Sequence, residues 1–182
     1  MIRSMICTGP ALKRRIADSR VRLYRVALSW CGDEMLADDL VQEAIETGIR
    51  KRRQLRDESK LFPWLYSILN NAWYAHLRRD RTHEILDEDM PTEDIGPCNS
   101  CQEVELVTRV RTAVASLSRD QRQVISLVDL GGLHYCEVAE SLEIPIGTVM
   151  SRLHRARKGL LARLDEAPAV SVAARGNLHL VE

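Results

Sequence analysis

Helical periodicity runs through almost the whole chain, and no segment alternates apolar and polar residues as a strand would. A chain patterned in this way must bury its apolar stripes helix against helix, which predicts an all-α fold. Val21, Tyr24, Leu28 and Cys31 form the first stripe, interrupted at Gly32-Asp33. Leu36, Leu40, Val41, Ala44, Ile45 and Ile49 form the second, with Asp38, Asp39, Glu43 and Glu46 on its other face. The charged stretch from Arg50 to Lys60 reads as a helix end and a loop. Pro63 then sits where a first helical turn tolerates proline, and Leu65, Ile68, Leu69, Ala72 and His76 trace a third helix. Three helices suffice for one small core.

The pattern fails between about Thr82 and Cys101, where Pro91, Gly96 and Pro97 lie among acids. It resumes with Val107, Val110, Val114 and Leu117. Ser118-Arg119-Asp120-Gln121 fits a capping box, in which Ser118 accepts from the Gln121 backbone N–H and Gln121 reaches back. Val124, Ile125 and Val128 continue that helix to Gly131-Gly132, and two short helices split near Glu143-Ile144-Pro145 follow. The organisation expected is two small helical domains, 1–82 and 105–166, joined by an acidic flexible linker at 83–104. A tail without clear period follows at 167–182.

Charge follows the same division. The 26 Lys and Arg balance 26 Asp and Glu, yet the balance is segregated. Residues 1–83 hold 16 bases and 10 acids, 84–105 hold 8 acids and no Lys or Arg, and 106–182 hold 10 bases and 8 acids. Two basic blocks therefore flank a strip of net charge −8. No apolar run has the length of a membrane span, and Met1 to Arg15 lacks a long apolar core or a clear cleavage site. Five cysteines, an odd number in a chain of this length, do not suit a disulfide framework. A cytoplasmic protein without stable membrane insertion is expected.

Three groups of residues carry chemistry. From Tyr135 to Leu160 the spacing is that of a helix-turn-helix. Val138, Ala139 and Leu142 face inward, Ile144-Pro145-Ile146-Gly147 turn, and Thr148 opens a helix whose inner face is Val149, Leu153, Ala156 and Leu160. Its outer face offers Met150, Ser151, Arg152, His154, Arg155, Arg157 and Lys158, with no acid between Glu143 and Asp165. Arginine can fork to guanine or grip phosphate, and serine can bond base or backbone. Secondly, Phe62, Trp64, Tyr66, Trp73 and Tyr74 fall within thirteen positions and precede His76, Arg78, Arg79 and Arg81. Rings beside arginines suit unpaired bases, and Asn70 and Asn71 could read a base edge; equally, some of these rings must fill a core short of phenylalanine. The third group is the acidic face Asp38, Asp39, Glu43 and Glu46, which has no histidine at metal-ligand spacing and no nucleophile motif nearby. It is either a solvated helix face or a surface for a basic protein partner.

Taken together these groups resemble an extracytoplasmic-function (ECF) sigma factor, the minimal two-domain class of bacterial transcription initiation factors. The resemblance spans about Tyr24 to Leu164. Asp38-Asp39-Leu40-Val41-Gln42-Glu43 looks like the family's helix that grips the clamp helices of the largest subunit of core RNA polymerase. That implies polymerase binding by Asp38, Asp39, Gln42, Glu43 and Glu46. Pro63-Trp64-Leu65-Tyr66 through Leu69-Asn70-Asn71 to His76-Leu77-Arg78-Arg79 resembles the helix that opens and reads the promoter −10 element. That assigns DNA contact to Trp64, Asn70, Asn71, Trp73, Tyr74, Arg78 and Arg79, with Asn71 where the family holds a flipped base. Leu117 to Val128 and Gly131 to Leu160 resemble the domain that reads the −35 element, through Thr148, Ser151, Arg152, His154, Arg155 and Lys158. Two departures stand out: Met150 replaces a base common near the DNA, and Trp73-Tyr74 replace smaller or basic residues. The resemblance implies no catalytic residue, cofactor or metal, promoter DNA as ligand, and control by an anti-sigma factor. The acidic strip, repelled from duplex DNA, could occupy a basic channel of the polymerase.

Other readings predict different things. A stand-alone helix-turn-helix repressor or activator would need a dimer surface to match two half-sites, and no long heptad offers one. A polymerase-binding adaptor would bind core without opening DNA. Cys98-Asn99-Ser100-Cys101 could be a redox pair, half a zinc site, or loop cysteines without function. No second pair follows at zinc-ribbon spacing, and no strand–helix pattern of a thiol oxidoreductase surrounds it.

Overall fold

The computed structural model describes residues 9–83 and 101–166, with side chains for 9–80 and 107–164. Every regular element among them is helical, and none is long and apolar enough to cross a membrane. The first unit comprises α1 (Gly9–Asp18), α2 (Arg20–Cys31), α3 (Glu34–Lys51) and α4 (Leu61–His83). The second comprises α5 (Cys101–Ala115), α6 (Arg119–Ile125), α7 (Tyr135–Leu142) and α8 (Ile146–Glu166). The two helical units expected from the periodicity are therefore present, the second with its helix-turn-helix at α7–α8.

The first unit has four helices rather than three. Leu12 and Ile16, one turn apart on α1, are buried in the common core. In α2 the predicted stripe is out of phase. The helix is apolar on more than one side, so its sequence admits two phases. The structure buries Leu23, Val26, Ala27 and Trp30, spaced i, i+3, i+4, i+7. Val21 is left 62 % exposed, with Tyr24, Leu28 and Cys31 half-buried at the core's edge. Gly32 ends α2 in the left-handed region at φ 76°, where only glycine is unstrained. Asp33 then caps α3 by accepting from Leu36 N–H at 2.9 Å. Leu40, Val41 and Ala44 of α3 face the core as expected. A side chain at Gly48 would place its Cβ 3.0 Å from Leu65 Cδ2, so glycine sets how closely α3 and α4 pack. Leu61, Leu65, Tyr66 and Leu69 complete the core from α4. Each such fully buried aliphatic side chain contributes roughly 1.5–3 kcal/mol relative to exposure.

In the second unit Ser118 and Gln121 form the expected reciprocal capping box. The helix widens over Ser126–Leu130 and stops at Gly131-Gly132. Between α7 and α8, Glu143 takes φ 54°, the one non-glycine residue at positive φ among those described. α8 starts at Ile146, two residues before the expected Thr148, because the Thr148 and Val149 N–H groups already bond Pro145 O.

The two units pack against each other, a feature the periodicity did not reveal. α4 lies along α7, α2 lies against α5, α6 and the widened turn, and one buried cluster runs through both units. The acidic strip of residues 84–100, with Cys98, and the tail beyond Glu166 lie outside the described residues, as does the side chain of Cys101.

Candidate functional site

On α3, burial of Leu40, Val41 and Ala44 turns Asp38, Asp39, Gln42, Glu43 and Glu46 outward, and all five are exposed. Asp38 Oδ1 accepts from Arg20 Nη2 at 2.9 Å, and Gln42 Nε2 donates to Glu46 Oε1 at 3.1 Å. The remaining carboxylates leave the face strongly negative. Among the described residues no cluster of His, Cys, Asp and Glu could hold a metal ion. The face suits a basic protein surface better than chemistry.

On α8, Val149, Leu153 and Ala156 point into the second unit's core, and Leu160 is half-buried beside them. Helical geometry then puts Ser151, His154, Arg155 and Lys158 on the exposed side, with Met150 53 % exposed among them. Ser151 Oγ donates to Thr148 O at 3.1 Å and Arg155 Nε donates to Ser151 O at 3.2 Å, which steadies both side chains on the helix. Thr148 is half-buried in the first turn. The basic face is not uniformly free: Arg152 is ion-paired with Asp120, and Arg157 Nη2 lies 2.8 Å from Asp129 Oδ1. Sequence spacing placed all these side chains on one side, but only the fold supplies the aspartates that occupy two of them.

On α4 the aromatic segment divides. Tyr66 is wholly buried, and burial pushes its hydroxyl pKa up to about 12. Trp73 is only 7 % exposed, with its ring stacked on His76 at 5.9 Å between centroids. These two rings are core, as a chain short of phenylalanine requires. Trp64 and Tyr74 are half-buried, while Asn71, Arg78 and Arg79 are exposed. Asn70 is 7 % exposed, and its Oδ1 accepts from Gln123 Nε2 of α6 at 2.8 Å. Gln123 Oε1 in turn accepts from Tyr74 OH at 3.2 Å. The candidate strand-reading side chains are thus brought together on one helix, but Asn70 and Tyr74 are engaged by the second unit.

Residues not singled out from the sequence hold that contact. Arg22 lies 3.7 Å above the Phe62 ring and donates Nε to Gly131 O at 3.0 Å. Arg122 donates Nη1 to Trp30 O at 3.0 Å and Nη2 to Leu117 O at 3.1 Å, with Ala115 O as a third acceptor. Burial lowers the Arg122 pKa from its ordinary value, with Arg119 adding to the effect. Ser29 Oγ donates to Ser126 Oγ at 2.6 Å, Ser141 Oγ donates to Pro63 O at 3.0 Å, and Lys60 Nζ pairs with Glu140 at 2.9 Å. Nothing local in the sequence marks these positions, because the partners that join the two units, Gly131 for Arg22 and Trp30 for Arg122 among them, lie on the far side of the acidic strip.

Comparison with known proteins agrees with this division. The family described as Sigma-70 region 2 matches residues 16–83, and Sigma-70, region 4 matches residues 108–160. The ECF RNA polymerase sigma-E factor of Haemophilus influenzae is 35 % identical over 132 residues, covering 66 % of this chain and 70 % of that protein. The ECF RNA polymerase sigma factor EcfG of Rhodopseudomonas palustris is 32 % identical over 143 residues, covering 78 % of each. Among solved structures, the sigma factor RpoE of Bartonella quintana, in complex with the anti-sigma factor NepR, superposes with a TM-score of 0.75. That match is at 28 % identity over 87 % of this chain and 99 % of that one. With an acidic face on α3, an aromatic and basic α4, and a basic helix-turn-helix in matching order, this chain belongs to the ECF group of the sigma-70 family of RNA polymerase sigma factors.

Proposed function

We propose that the exposed acidic residues of α3 dock on the clamp helices of core RNA polymerase, that α8 reads the −35 element, and that α4 captures the −10 strand. Residues 1–82 then act as the polymerase-binding and melting domain, 83–104 as the tether, 105–166 as the −35 domain and 167–182 as a tail. The observation that carries the reading is the exposed side of α8, with no acid from Ile146 to Leu164 and with Ser151, His154, Arg155 and Lys158 on a helix-turn-helix core. Its geometry suits the major groove, while the exposed carboxylates of α3 suit a basic protein surface.

The chemistry is recognition and strand separation, not catalysis, and the chain acts in the cytoplasm without a cofactor. Unstacking a base costs a few kcal/mol, and stacking it on an aromatic side chain returns about 1–3 kcal/mol. An amide such as Asn71, exposed on α4, adds hydrogen bonds available only from an unpaired base. Binding the opened strand in preference to the duplex is what turns binding energy into melting. By analogy with the anti-sigma complex of the Bartonella relative, an anti-sigma factor holds this chain in check.

Permanganate footprinting with core polymerase, this protein and a pool of promoter fragments tests the reading. Unpaired thymines at a shared −10 motif, dependent on both proteins, are expected. Core binding without opened DNA would favour an adaptor. Duplex DNA binding with no affinity for core would leave a stand-alone regulator.

A further inference from the structure

We infer that Met150 and Ile146 of α8 read thymine, by packing on the C5-methyl groups that thymines present in the major groove. The inference deepens the reading of α8 given above and rests on it. Its observation is an apolar stripe on an otherwise polar surface: Ile146 is 50 % exposed and Met150 53 %, at the start of the helix. Residues four apart lie one above the other on a helix, with about 5–6 Å between their Cβ atoms. Neither belongs to the buried core or to the side chains packed against it, which α8 supplies through Val149, Leu153, Ala156 and Leu160. Leu161, the other large apolar side chain of α8 exposed among the described residues, lies about 16 Å further along the helix. It is therefore outside the first turns, which meet the base edges in a helix-turn-helix.

Base edges in the major groove offer hydrogen-bond donors and acceptors and one apolar group, the thymine methyl. An uncharged thioether or branched alkyl chain facing that groove gains by covering such a methyl. Base pairs stack at about 3.4 Å, so side chains about 5–6 Å apart cover methyls one or two steps apart. Isoleucine, stiff at its first torsion, gives the stripe a fixed end, and the soft unbranched methionine follows the groove. Gly147 between them points to close approach. A Cβ there would meet nothing within 4 Å, so the protein's own packing does not demand glycine. A bare backbone in the first turn lets the helix end come nearer the bases. The surroundings favour duplex DNA over a protein as the occupant. Ser151, His154 and Arg155 are exposed beside the stripe, and no acid occurs from Ile146 to Leu164. A base at position 150 would grip phosphate or guanine; methionine there turns the same place into a test for a methyl group.

The test exchanges single thymines for deoxyuridine, which removes the C5-methyl and leaves every hydrogen-bonding group of the base in place. A promoter that wild-type holoenzyme opens supplies the −35 duplex. Exchanges are made one at a time on both strands of that element, and holoenzyme binding is read by competition. Wild type is expected to lose about fourfold at one thymine or at two neighbouring ones, equivalent to about 0.8 kcal/mol for each buried methyl. Met150→Ala, or Ile146→Ala at the neighbouring position, should shrink that loss to less than about 1.5-fold, whereas Met150→Leu should keep it. Uracil exchanges that are all silent on an opened promoter would overturn the inference and leave the stripe to a protein partner. A methyl effect undiminished in both M150A and I146A would overturn it too. So would binding that responds only to 5-methylcytosine in place of cytosine, since the methyl read would then be a modification and not thymine. If holoenzyme opens no promoter, the sigma-factor reading itself fails and the inference falls with it; silent exchanges on an opened promoter sink the inference alone.

Discussion

Of the four basic residues from Arg152 to Lys158 on α8, two are set free by the fold and two are occupied, and this should be visible in the salt dependence of DNA binding. Among the described residues Arg155 and Lys158 are exposed without an acidic partner, whereas Arg157 is 2.8 Å from Asp129 and Arg152 is paired with Asp120. Each phosphate contact contributes about 0.9 to the slope of log K against log salt. At about 0.15 M salt that is roughly 0.7 log units per contact, or about 1 kcal/mol. The double variant R155Q/K158Q should therefore lower the slope by about 1.8 and weaken binding roughly 30-fold at that salt. R157Q removes a charge that Asp129 already neutralises, so its slope should change by less than about 0.3. Fluorescence anisotropy of the full chain on a random-sequence duplex, titrated at several salt concentrations, reads both numbers without knowledge of the promoter. If R157Q lowers the slope as much as loss of Arg155 or Lys158 does, the division into free and occupied bases is wrong. An unchanged slope in R155Q/K158Q would remove α8 as the phosphate-contacting helix.

Arg122 joins three carbonyls, on α2 and at the end of α5, that an ammonium cannot bridge together. Arg122→Lys should thus cost about 2 kcal/mol in urea unfolding, and a loss under about 0.5 kcal/mol would show the contact to be idle. Tyr66 is raised to about 12 by burial, so in the unfolded chain it ionises near its ordinary value while the folded chain keeps it neutral. Its contribution is then complete below about pH 10 and is lost as the pH climbs towards 12, up to roughly 2–3 kcal/mol. Comparing unfolding midpoints at pH 9 and 11.5, Tyr66→Phe should lose less stability than wild type; equal losses would assign the alkaline instability elsewhere. Glu143 sits at φ 54° in the turn of the helix-turn-helix. Glu143→Gly should gain up to about 1 kcal/mol from relief of that strain, net of the entropy of the unfolded chain, and a lower melting temperature would contradict it.

Helical elements and their inward faces were legible wherever one face alone was apolar. Val149, Leu153 and Ala156 on α8, and Leu40, Val41 and Ala44 on α3, point inward as their spacing requires. The capping box at Ser118 was equally readable, since both partners lie within one turn. α2 was misphased because Val21, Tyr24 and Leu28 compete with Leu23, Val26 and Ala27 for the same core, and only a neighbouring helix can choose between them. The aromatic run on α4 carried the same ambiguity. Spacing alone cannot say that Tyr66 and Trp73 turn inward while Asn71 turns out.

What the chain's own residues determine is local: where helices begin and end, which side of α3 is acidic, and which side of α8 is basic. These depend on interactions within a turn or two, and the pattern repeats often enough to be read. Tertiary structure alone decides which bases stay free, because Asp120 and Asp129 reach α8 from another helix and its following turn. It also decides that Asn70 is covered, because Gln123 lies 53 positions away and Gly131 lies 109 positions from Arg22. Pairings at such separations require the whole chain to fold before either partner gains anything. No local preference records them.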